Sequence, residues 1–212
     1  FGICILFGII FFCLSVAYTV VKATVLSTSE VPISRGNFVI KFANVNGTGS
    51  ASANGMFAKA IFRMGIPVSP RNIFPSNIQG VPTWYEVRVS QDGYLGRRGG
   101  VDMMISVNPQ SFAKDVSEVE PGGYMVYDTT KPLDLRHVRR DVNYLGIPLT
   151  EMCLREYTDS RQRQLFKNVI YVGALAALLN IDFAILKDLV REQFKGKEKL
   201  ITPNIHALEM GH

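Results

Sequence analysis

The chain has 212 residues, of which 47% are hydrophobic and 19% are charged. This composition excludes a disordered protein, and the length suits one domain with a sizeable core plus an additional segment. The formal net charge of +5, from 23 basic and 18 acidic residues, is a mild excess typical of a lightly basic surface. We therefore expect no nucleic-acid partner.

The three cysteines limit the chemistry that the chain can perform alone. Cys4 and Cys13 lie in an apolar N-terminal run, so the rest of the chain has only Cys153. A single cysteine cannot form an internal disulfide, a cysteine-rich zinc site or an iron–sulfur cluster. We expect another chain to supply any cluster, and we expect a cytoplasmic protein.

Residues 1–36 form a hydrophobic N-terminal extension with several interpretations. Residues 1–21 contain no charge and are long enough to cross a bilayer or to serve as the apolar part of a signal peptide. No basic stretch precedes them, and the first methionine is Met56. A third interpretation is an upstream extension that is not translated, with the true start near Val31. We favour that interpretation, because nothing downstream indicates a membrane or extracellular protein.

The first half of the remaining chain predicts strands around one long helix. Residues 38–43 are rich in strand formers, and residues 44–50 form a loop of small residues. An apolar face over residues 50–64 predicts a helix, with Gly65 at its C-terminal end. Residues 66–82 contain four prolines and are expected to be irregular. A strand over 84–89, a turn at 91–93 and a short return strand at Tyr94-Leu95 follow.

The second half predicts further strands and then three helices. Strands are expected at 101–107, 124–127 and 147–152, with a short helix at 111–116 between the first two. Helices are predicted over 162–180 and from Asp182 to about residue 194, and a last helix begins near Pro203. Because that helix is still running at His212, we expect the domain to continue. The alternation predicts a three-layer α/β/α sandwich around a mixed, mostly parallel sheet.

The strongest candidate for ligand binding is the loop Gly47-Thr48-Gly49-Ser50. It joins a strand to a helix, so its backbone N–H groups can hold a phosphate, and Ser50 can cap the helix. The third glycine of a dinucleotide fingerprint is absent, as is the acidic residue that would bind a ribose. A tight turn without a ligand is an equally good interpretation from the residues alone.

Other ionisable or nucleophilic side chains have a structural interpretation beside a functional one. Arg97 and Arg98 can bind an anion but are typical of a solvated turn. His137 lies among arginines, which is typical of a basic surface. Asp102 and Asp128 would have to converge to act as paired carboxylates, whereas strand-end caps are the commoner case. Cys153 has no adjacent histidine or cationic helix start that would mark it as a nucleophile. His206 and His212 have no second ligand at a metal-binding spacing. We assign no catalytic residue.

Taken together, a series of short motifs resembles the gamma domain of 2-oxoacid:ferredoxin oxidoreductases. The resemblance is nearest to the N-terminal region of the 2-oxoglutarate enzyme's alpha subunit, and it covers residues 37–212. Each motif is weak by itself, but their common order is specific. In chain order they are Asn46-Gly-Thr-Gly-Ser50, Phe74-Pro-Ser-Asn-Ile-Gln-Gly80, Val101-Asp-Met-Met-Ile-Ser-Val-Asn108, Glu120-Pro-Gly-Gly-Tyr-Met-Val-Tyr-Asp128, Asn168-Val-Ile-Tyr-Val-Gly-Ala174 and Asn204-Ile-His-Ala-Leu-Glu-Met-Gly211.

The resemblance implies oxidative decarboxylation of a 2-oxoacid, such as 2-oxoglutarate, to its acyl-coenzyme A, with electrons passed to ferredoxin. It implies that thiamine diphosphate and iron–sulfur clusters reside in partner domains or subunits, so this chain binds no cofactor alone and is inactive alone. The implied partners are a beta subunit, the remaining alpha-subunit domains, ferredoxin and coenzyme A. The candidate ligand or interface residues are Gly47, Thr48, Gly49, Ser50, Ser76, Asn77, Gln79 and Gly80.

Two other classes stay open at this point. A stand-alone nucleotide-binding module would use the same glycine loop, and the incomplete fingerprint argues against it. A membrane-anchored interaction protein would require residues 1–21 in the mature chain, and we expect no membrane association.

Overall fold

The computed structural model describes residues 36–75, 78 and 80–212. The predictions for residues 1–35 lie outside the described residues. The strands are β1 (Asn37–Val45), β2 (Val68–Ile73), β3 (Pro82–Ser90), β4 (Val101–Ser106), β5 (Val119–Asp128) and β6 (Asn143–Ile147). The helices are α1 (Ser50–Arg63), α2 (Phe112–Glu118), α3 (Leu149–Glu156), α4 (Ser160–Leu178), α5 (Phe183–Gln193) and α6 (Glu198–Gly211), with a 3₁₀ turn at Leu135–His137.

The six described strands form one sheet in the order β2-β3-β1-β4-β5-β6. The neighbours β1, β4, β5 and β6 run parallel, whereas β3 is antiparallel to both β1 and β2. The predicted mixed, mostly parallel sheet is thus confirmed. Since β1, β4, β5 and β6 are parallel, their carboxyl ends share one edge, which is where α/β folds place ligands.

Helices cover both faces of the sheet, which confirms the predicted three layers. On one face, Phe42 of β1 packs against Phe57 of α1 and Tyr171 of α4, with ring centroids 5.4 Å and 5.7 Å away. On the other face, the next residue of β1, Ala43, belongs to an apolar cluster with Val116 of α2. The alternation of side chains along a strand produces this division.

The second face also contains a buried row of charges. Lys41, Glu86 and Arg88 are only 6%, 7% and 6% exposed. Lys41 of β1 lies directly opposite Glu86 of β3 in the strand register. Its ammonium group forms an ion pair with Glu118 at the end of α2. Burial lowers the pKa of Arg88, whose guanidinium donates to the carbonyl of Val89 at 2.9 Å. Buried charges need such partners, so this row fixes α2 and β3 relative to β1.

A buried carboxylate continues this row towards the carboxyl edge of the sheet. Asp115 of α2 is fully buried and accepts hydrogen bonds from the Trp84 indole and from the hydroxyls of Ser106 and Ser111, each at 2.8 Å. Burial raises the pKa of Asp115 although these three hydrogen bonds oppose the rise. The network ties α2 to both β3 and β4.

Helices α4 and α6 cross at close range because two glycines lie at the contact. A Cβ atom on Gly173 would stand 2.1 Å from the carbonyl oxygen of Leu208, and one on Gly211 would stand 2.0 Å from that of Ile170. Both glycines belong to motifs on which the resemblance rests. Their contact explains why those motifs need glycine.

The structure overturns four local predictions. Residues 66–82 are not wholly irregular, because β2 pairs with β3 although it contains Pro70. Strand β2 stands at one end of the described sheet, and proline is tolerated in such an edge strand. Tyr94-Leu95 forms no return strand. The strand expected over 147–152 is instead the end of β6 and the start of α3, which begins directly after Pro148. Helix α6 begins at Glu198, with Pro203 inside it.

Candidate functional site

The loop between β1 and α1 lies at the carboxyl edge of the sheet, and its backbone requires glycine. Gly47 and Gly49 have positive φ angles of 86° and 78°. A Cβ atom on Gly49 would also stand 2.6 Å from Cδ2 of Leu165. The Thr48 hydroxyl donates to the carbonyl of Val45 at 2.8 Å and closes the turn. The two glycines therefore allow the tight backbone path by which the chain passes from β1 into α1.

Among the described residues, no side chain caps the start of α1. The N-cap residue is Gly49, which leaves the prediction that Ser50 caps the helix wrong: Ser50 is the first helical residue and is buried. The first turn contains no acidic residue. Since the first N–H groups of a helix have no acceptor within it, the N-terminus of α1 provides hydrogen-bond donors and the positive end of the helix dipole.

A second loop, between β2 and β3, lies against the first. The backbone of Asn46 donates to the carbonyl of Val81 at 2.9 Å and accepts from Gly80 N–H at 3.1 Å. The side-chain amide of Asn46 donates to the carbonyl of Ile78 at 3.1 Å. The structure thus brings Gly80 to the loop of Gly47 and Gly49. Ser76, Asn77 and Gln79 lie outside the described residues.

Asn168 of α4 fixes the first loop from the other side. Its side-chain amide donates to the carbonyl of Thr48 at 2.9 Å, and the residue is only 4% exposed. The sequence shows Asn168 only as part of a helix motif. A contact across 120 residues has no local signal, so sequence reasoning did not give it this role.

Three cavities open along this edge of the sheet. The first, of about 210 Å³, lies between the loop and β3 and includes Gly47, Gly49, Ser50 and Asn54 in its wall. The second, of about 430 Å³, lies between the loop and helices α3 and α4 and includes Thr48, Arg163 and Lys167. The third, of about 290 Å³, lies beyond Lys167 and includes Lys131 and Asp134. We call them the loop cavity, the cationic cavity and the outer cavity.

Asp128 is a structural cap rather than half of a carboxylate pair. It ends β5, accepts hydrogen bonds from Thr130 and from the backbone of Thr150 at the start of α3, and lies 3.3 Å from Lys167 Nζ. Burial opposes its charged form, but the hydrogen bonds from Thr150 and Thr130 and the charge of Lys167 outweigh burial and lower the pKa of Asp128. Asp102 is the second residue of β4, near the opposite edge of the sheet, and forms an ion pair with Arg98. The two carboxylates therefore do not converge.

The other polar candidates also have structural partners. The guanidinium of Arg97 lies 4.0 Å from Glu86, and the rings of His137 and His206 lie 3.8 Å from Asp134 and 2.9 Å from Glu156. The ring of His212 packs on that of Phe183, with centroids 4.2 Å apart. Cys153 is buried, and burial raises the pKa of its thiol to about 11. Among the described residues there is no group of three or more side chains suited to hold a metal.

Comparison with known proteins gives a consistent result. A model of the pyruvate ferredoxin/flavodoxin oxidoreductase family matches residues 39–212. The alpha subunit of 2-oxoacid:ferredoxin oxidoreductase 2 from Aeropyrum pernix is 25% identical, over 77% of this chain and 31% of that protein. The 2-oxoglutarate synthase subunit KorC from Archaeoglobus fulgidus is also 25% identical, over 81% of this chain and 87% of that protein.

Solved structures agree. The 2-oxoglutarate:ferredoxin oxidoreductase from Magnetococcus marinus, with 2-oxoglutarate, coenzyme A and succinyl-CoA bound, is 27% identical with a TM-score of 0.71, over 83% of this chain and 30% of that one. The pyruvate oxidoreductase subunit PORC from Thermotoga maritima shares the fold at 20% identity and a TM-score of 0.66, over 95% of its chain. This chain thus spans about 30% of the M. marinus chain and 31% of the A. pernix subunit. No helix within the described part of the chain is long and apolar enough to cross a membrane.

Proposed function

Since this chain belongs to the pyruvate ferredoxin/flavodoxin oxidoreductase family, we propose that it is the gamma-type part of a 2-oxoacid:ferredoxin oxidoreductase. The assembly would convert a 2-oxoacid, such as 2-oxoglutarate, and coenzyme A into acyl-coenzyme A and carbon dioxide, and would pass the electrons to ferredoxin. The observation that supports this proposal best is the similarity over 83% of the chain to a 2-oxoglutarate enzyme solved with those molecules bound.

The chain's own contribution is to bind and orient coenzyme A. The loop of Gly47, Thr48, Gly49 and Ser50 presents backbone N–H groups at the start of α1, and Gly80 of the second loop lies against it. Such groups suit the oxygen acceptors of coenzyme A, and the cationic side chains Arg163 and Lys167 of the neighbouring cavity suit its phosphates. Both features lie at the edge where parallel sheets bind ligands.

The electron chemistry belongs to other parts of the assembly. Thiamine diphosphate supplies the carbanion chemistry and iron–sulfur clusters accept the electrons, and we assign both to partner domains or to a beta subunit. Within the described residues the single cysteine, Cys153, is buried and has a raised pKa, so it does not suit a cluster. The assembly is expected in the cytoplasm, where ferredoxin and coenzyme A meet.

The proposal is tested on the natively expressed, tagged chain together with whatever co-purifies. Mass spectrometry should find a subunit containing thiamine diphosphate and iron–sulfur clusters. The purified assembly should reduce ferredoxin only when both 2-oxoglutarate, or another 2-oxoacid, and coenzyme A are present. An assembly without these partners, or without activity on any 2-oxoacid, would refute the proposal.

A matched pair of variants tests the role of the loop. Gly49→Ala and Gly93→Ala both force alanine into a positive φ angle, of 78° and 77°, but only Gly49 lies at the candidate site. Gly49→Ala should raise the KM for coenzyme A several-fold, because it also displaces Leu165. Gly93→Ala should leave that KM unchanged, since a Cβ atom there would have no described atom within 4 Å. Equal effects of the two variants would show that backbone strain alone is responsible.

A further inference from the structure

Strand β6 stands at one end of the described sheet and contains nothing that hinders pairing with another strand. Its sequence is Asn143-Tyr144-Leu145-Gly146-Ile147, without a charged residue or a proline. Gly146 is exposed, and Tyr144 and Leu145 are half-buried. Because an open edge strand of this kind readily pairs with a strand of another chain, β6 is a candidate interaction surface.

The hydrogen bonds to β5 determine which backbone groups of β6 face outward. The Thr129 N–H donates to the carbonyl of Ile147 at 3.0 Å, so the backbone of Ile147 faces β5. This direction alternates along a strand, and the pairing of β5 with β6 has no register shift from Asn143 to Ile147. The N–H and C=O groups of Tyr144 and Gly146 therefore point away from β5. Among the described residues, β6 has no second strand beside it.

Contacts with neighbouring residues hold β6 in this orientation. The Tyr144 hydroxyl accepts from the Arg139 N–H at 2.9 Å, and its ring meets that of Tyr127 edge-on, with centroids 6.4 Å apart. A Cβ atom on Gly146 would clash with the side chain of Thr129, so this position favours glycine. The edge is thus formed before a partner arrives, and pairing requires little ordering of β6.

A second copy of the same strand fits this edge. When two β6 strands pair antiparallel about a two-fold axis at Leu145, Tyr144 of each copy lies opposite Gly146 of the other. Opposed residues whose backbone groups face one another exchange both N–H···O bonds, so the outward groups of Tyr144 and Gly146 all find partners. The two Leu145 side chains meet as a close, non-hydrogen-bonded pair. No like charges meet within the paired strands, since β6 has no charged residue.

The opposite end of the sheet favours a closed pair of copies over an open series. Pairing of β6 with β2 of another copy leaves a free β6 and a free β2 at the two ends, so it continues without limit. Pro70 of β2 has no backbone N–H to donate, which makes this mixed pairing the poorer one. Pairing of β6 with β6 occupies the same edge in both copies and is complete with two.

We propose that β6 is the surface through which two copies of this chain pair, joining their sheets across a two-fold axis. The proposal does not depend on the proposed function, because it concerns an edge of the sheet and no ligand. A strand of 5 residues buries less surface than a standard protein interface, so the pair is weak, with a Kd on the order of 10–100 μM.

Charge substitutions at the axis test the pairing. Leu145→Lys and Leu145→Glu each place like charges opposite one another and should raise the Kd about tenfold. An equal mixture of the two variants should restore pairing, because lysine then meets glutamate, and this recovery would also show that both variants fold. Leu200→Lys, at an exposed leucine of α6, is the matched control and should leave the Kd unchanged. The full chain is measured by sedimentation velocity at concentrations below and above that Kd.

Hydrogen exchange resolved to single residues gives a second readout. The amides of Leu145 and Ile147 face β5 and should exchange slowly at every concentration. The amides of Tyr144 and Gly146 should exchange rapidly in the dilute chain and become protected as the concentration rises. Leu145→Lys should abolish this dependence on concentration.

Other results would overturn the proposal. A wild-type chain that stays monomeric well above that Kd has no such contact, and pairing that persists in Leu145→Lys uses another surface. Protection of the Tyr144 and Gly146 amides at every dilution, or only in the co-purified assembly, would show that a different segment or another subunit occupies the edge. These results leave binding of coenzyme A untouched, so the proposed function would stand or fall separately.

Discussion

Replacing Gly173 by alanine should loosen the crossing of α4 and α6. A Cβ atom at this position would stand 2.1 Å from the carbonyl oxygen of Leu208, 3.0 Å from its carbonyl carbon and 3.2 Å from the backbone nitrogen of His212. These are backbone atoms, so no side-chain rotation relieves the contact. Nonbonded carbon atoms prefer about 3.5–4.0 Å, which means the helix axes must move apart by on the order of 1 Å.

The size of the effect follows from two opposing contributions. Overpacking a buried contact costs about 1–3 kcal/mol, and the upper end applies here because backbone is displaced. Alanine favours a helix over glycine by about 1 kcal/mol, which offsets part of that cost. The net expectation is a loss of about 2 kcal/mol in the free energy of unfolding, or a Tm lower by roughly 4–8 °C for a chain of this size.

Gly55→Ala is the matched control. Gly55 lies inside α1, and a Cβ atom there would have the Tyr85 hydroxyl, at an ordinary 3.6 Å, as its one neighbour within 4 Å among the described residues. The same helix preference, without a clash, should stabilise the protein by about 1 kcal/mol. The two variants of the full chain are compared by circular dichroism during thermal and urea unfolding, with m-values checked for constancy. If Gly173→Ala matches or exceeds the wild type in stability, the argument from close helix contact is refuted.

Two further predictions concern titratable groups. Asp128→Asn should destabilise the protein by about 2 kcal/mol at pH 7, because charged hydrogen bonds to Thr150 and Thr130 are lost. Folding lowers the pKa of Asp128, so the wild type's extra free energy of unfolding over the variant should be complete above about pH 4 and should shrink as the pH falls further. A difference in stability that is independent of pH down to pH 2 would contradict this. Burial raises the pKa of Cys153 to about 11, so its thiol should resist iodoacetamide at pH 7.5 in the folded chain and should react in urea. Mass spectrometry of the peptide that contains Cys153 measures the labelling. Rapid labelling of the folded chain would contradict the burial of this thiol.

The sequence pattern predicted those helices, strands and turns whose own residues determine their structure. The strand over 38–43 and the helix over 50–64 were predicted correctly because strand formers and an apolar helical face each bury one element against its neighbours. The glycine loop between them followed from the same reasoning. The start of a helix at Asp182 was also predicted correctly: Asp182 is the N-cap of α5, and its side chain accepts from the Ala184 N–H at 2.9 Å.

The remaining features depend on contacts between distant segments. Strand β2 contains Pro70, Arg71 and Asn72, and only its pairing with β3 makes it a strand. Glu86 and Arg88 alternate with valines, which indicates a solvent-exposed face, yet both are buried among partners from other strands and loops. Asn54 looks like an ordinary polar residue of α1. Its burial and its hydrogen bond with the Tyr171 hydroxyl join α1 to α4, and neither has a local signal in the sequence.

The edge position of β2 also affects how separate copies of this chain can meet. An open sheet edge invites pairing with another copy of the same edge, which leads to aggregation. Pro70 removes one backbone donor from β2, and Arg71 is exposed and adds a charge. Both features discourage such pairing. This edge of the described sheet is thereby protected, and replacing Pro70 by valine should increase aggregation of the purified chain, as followed by light scattering.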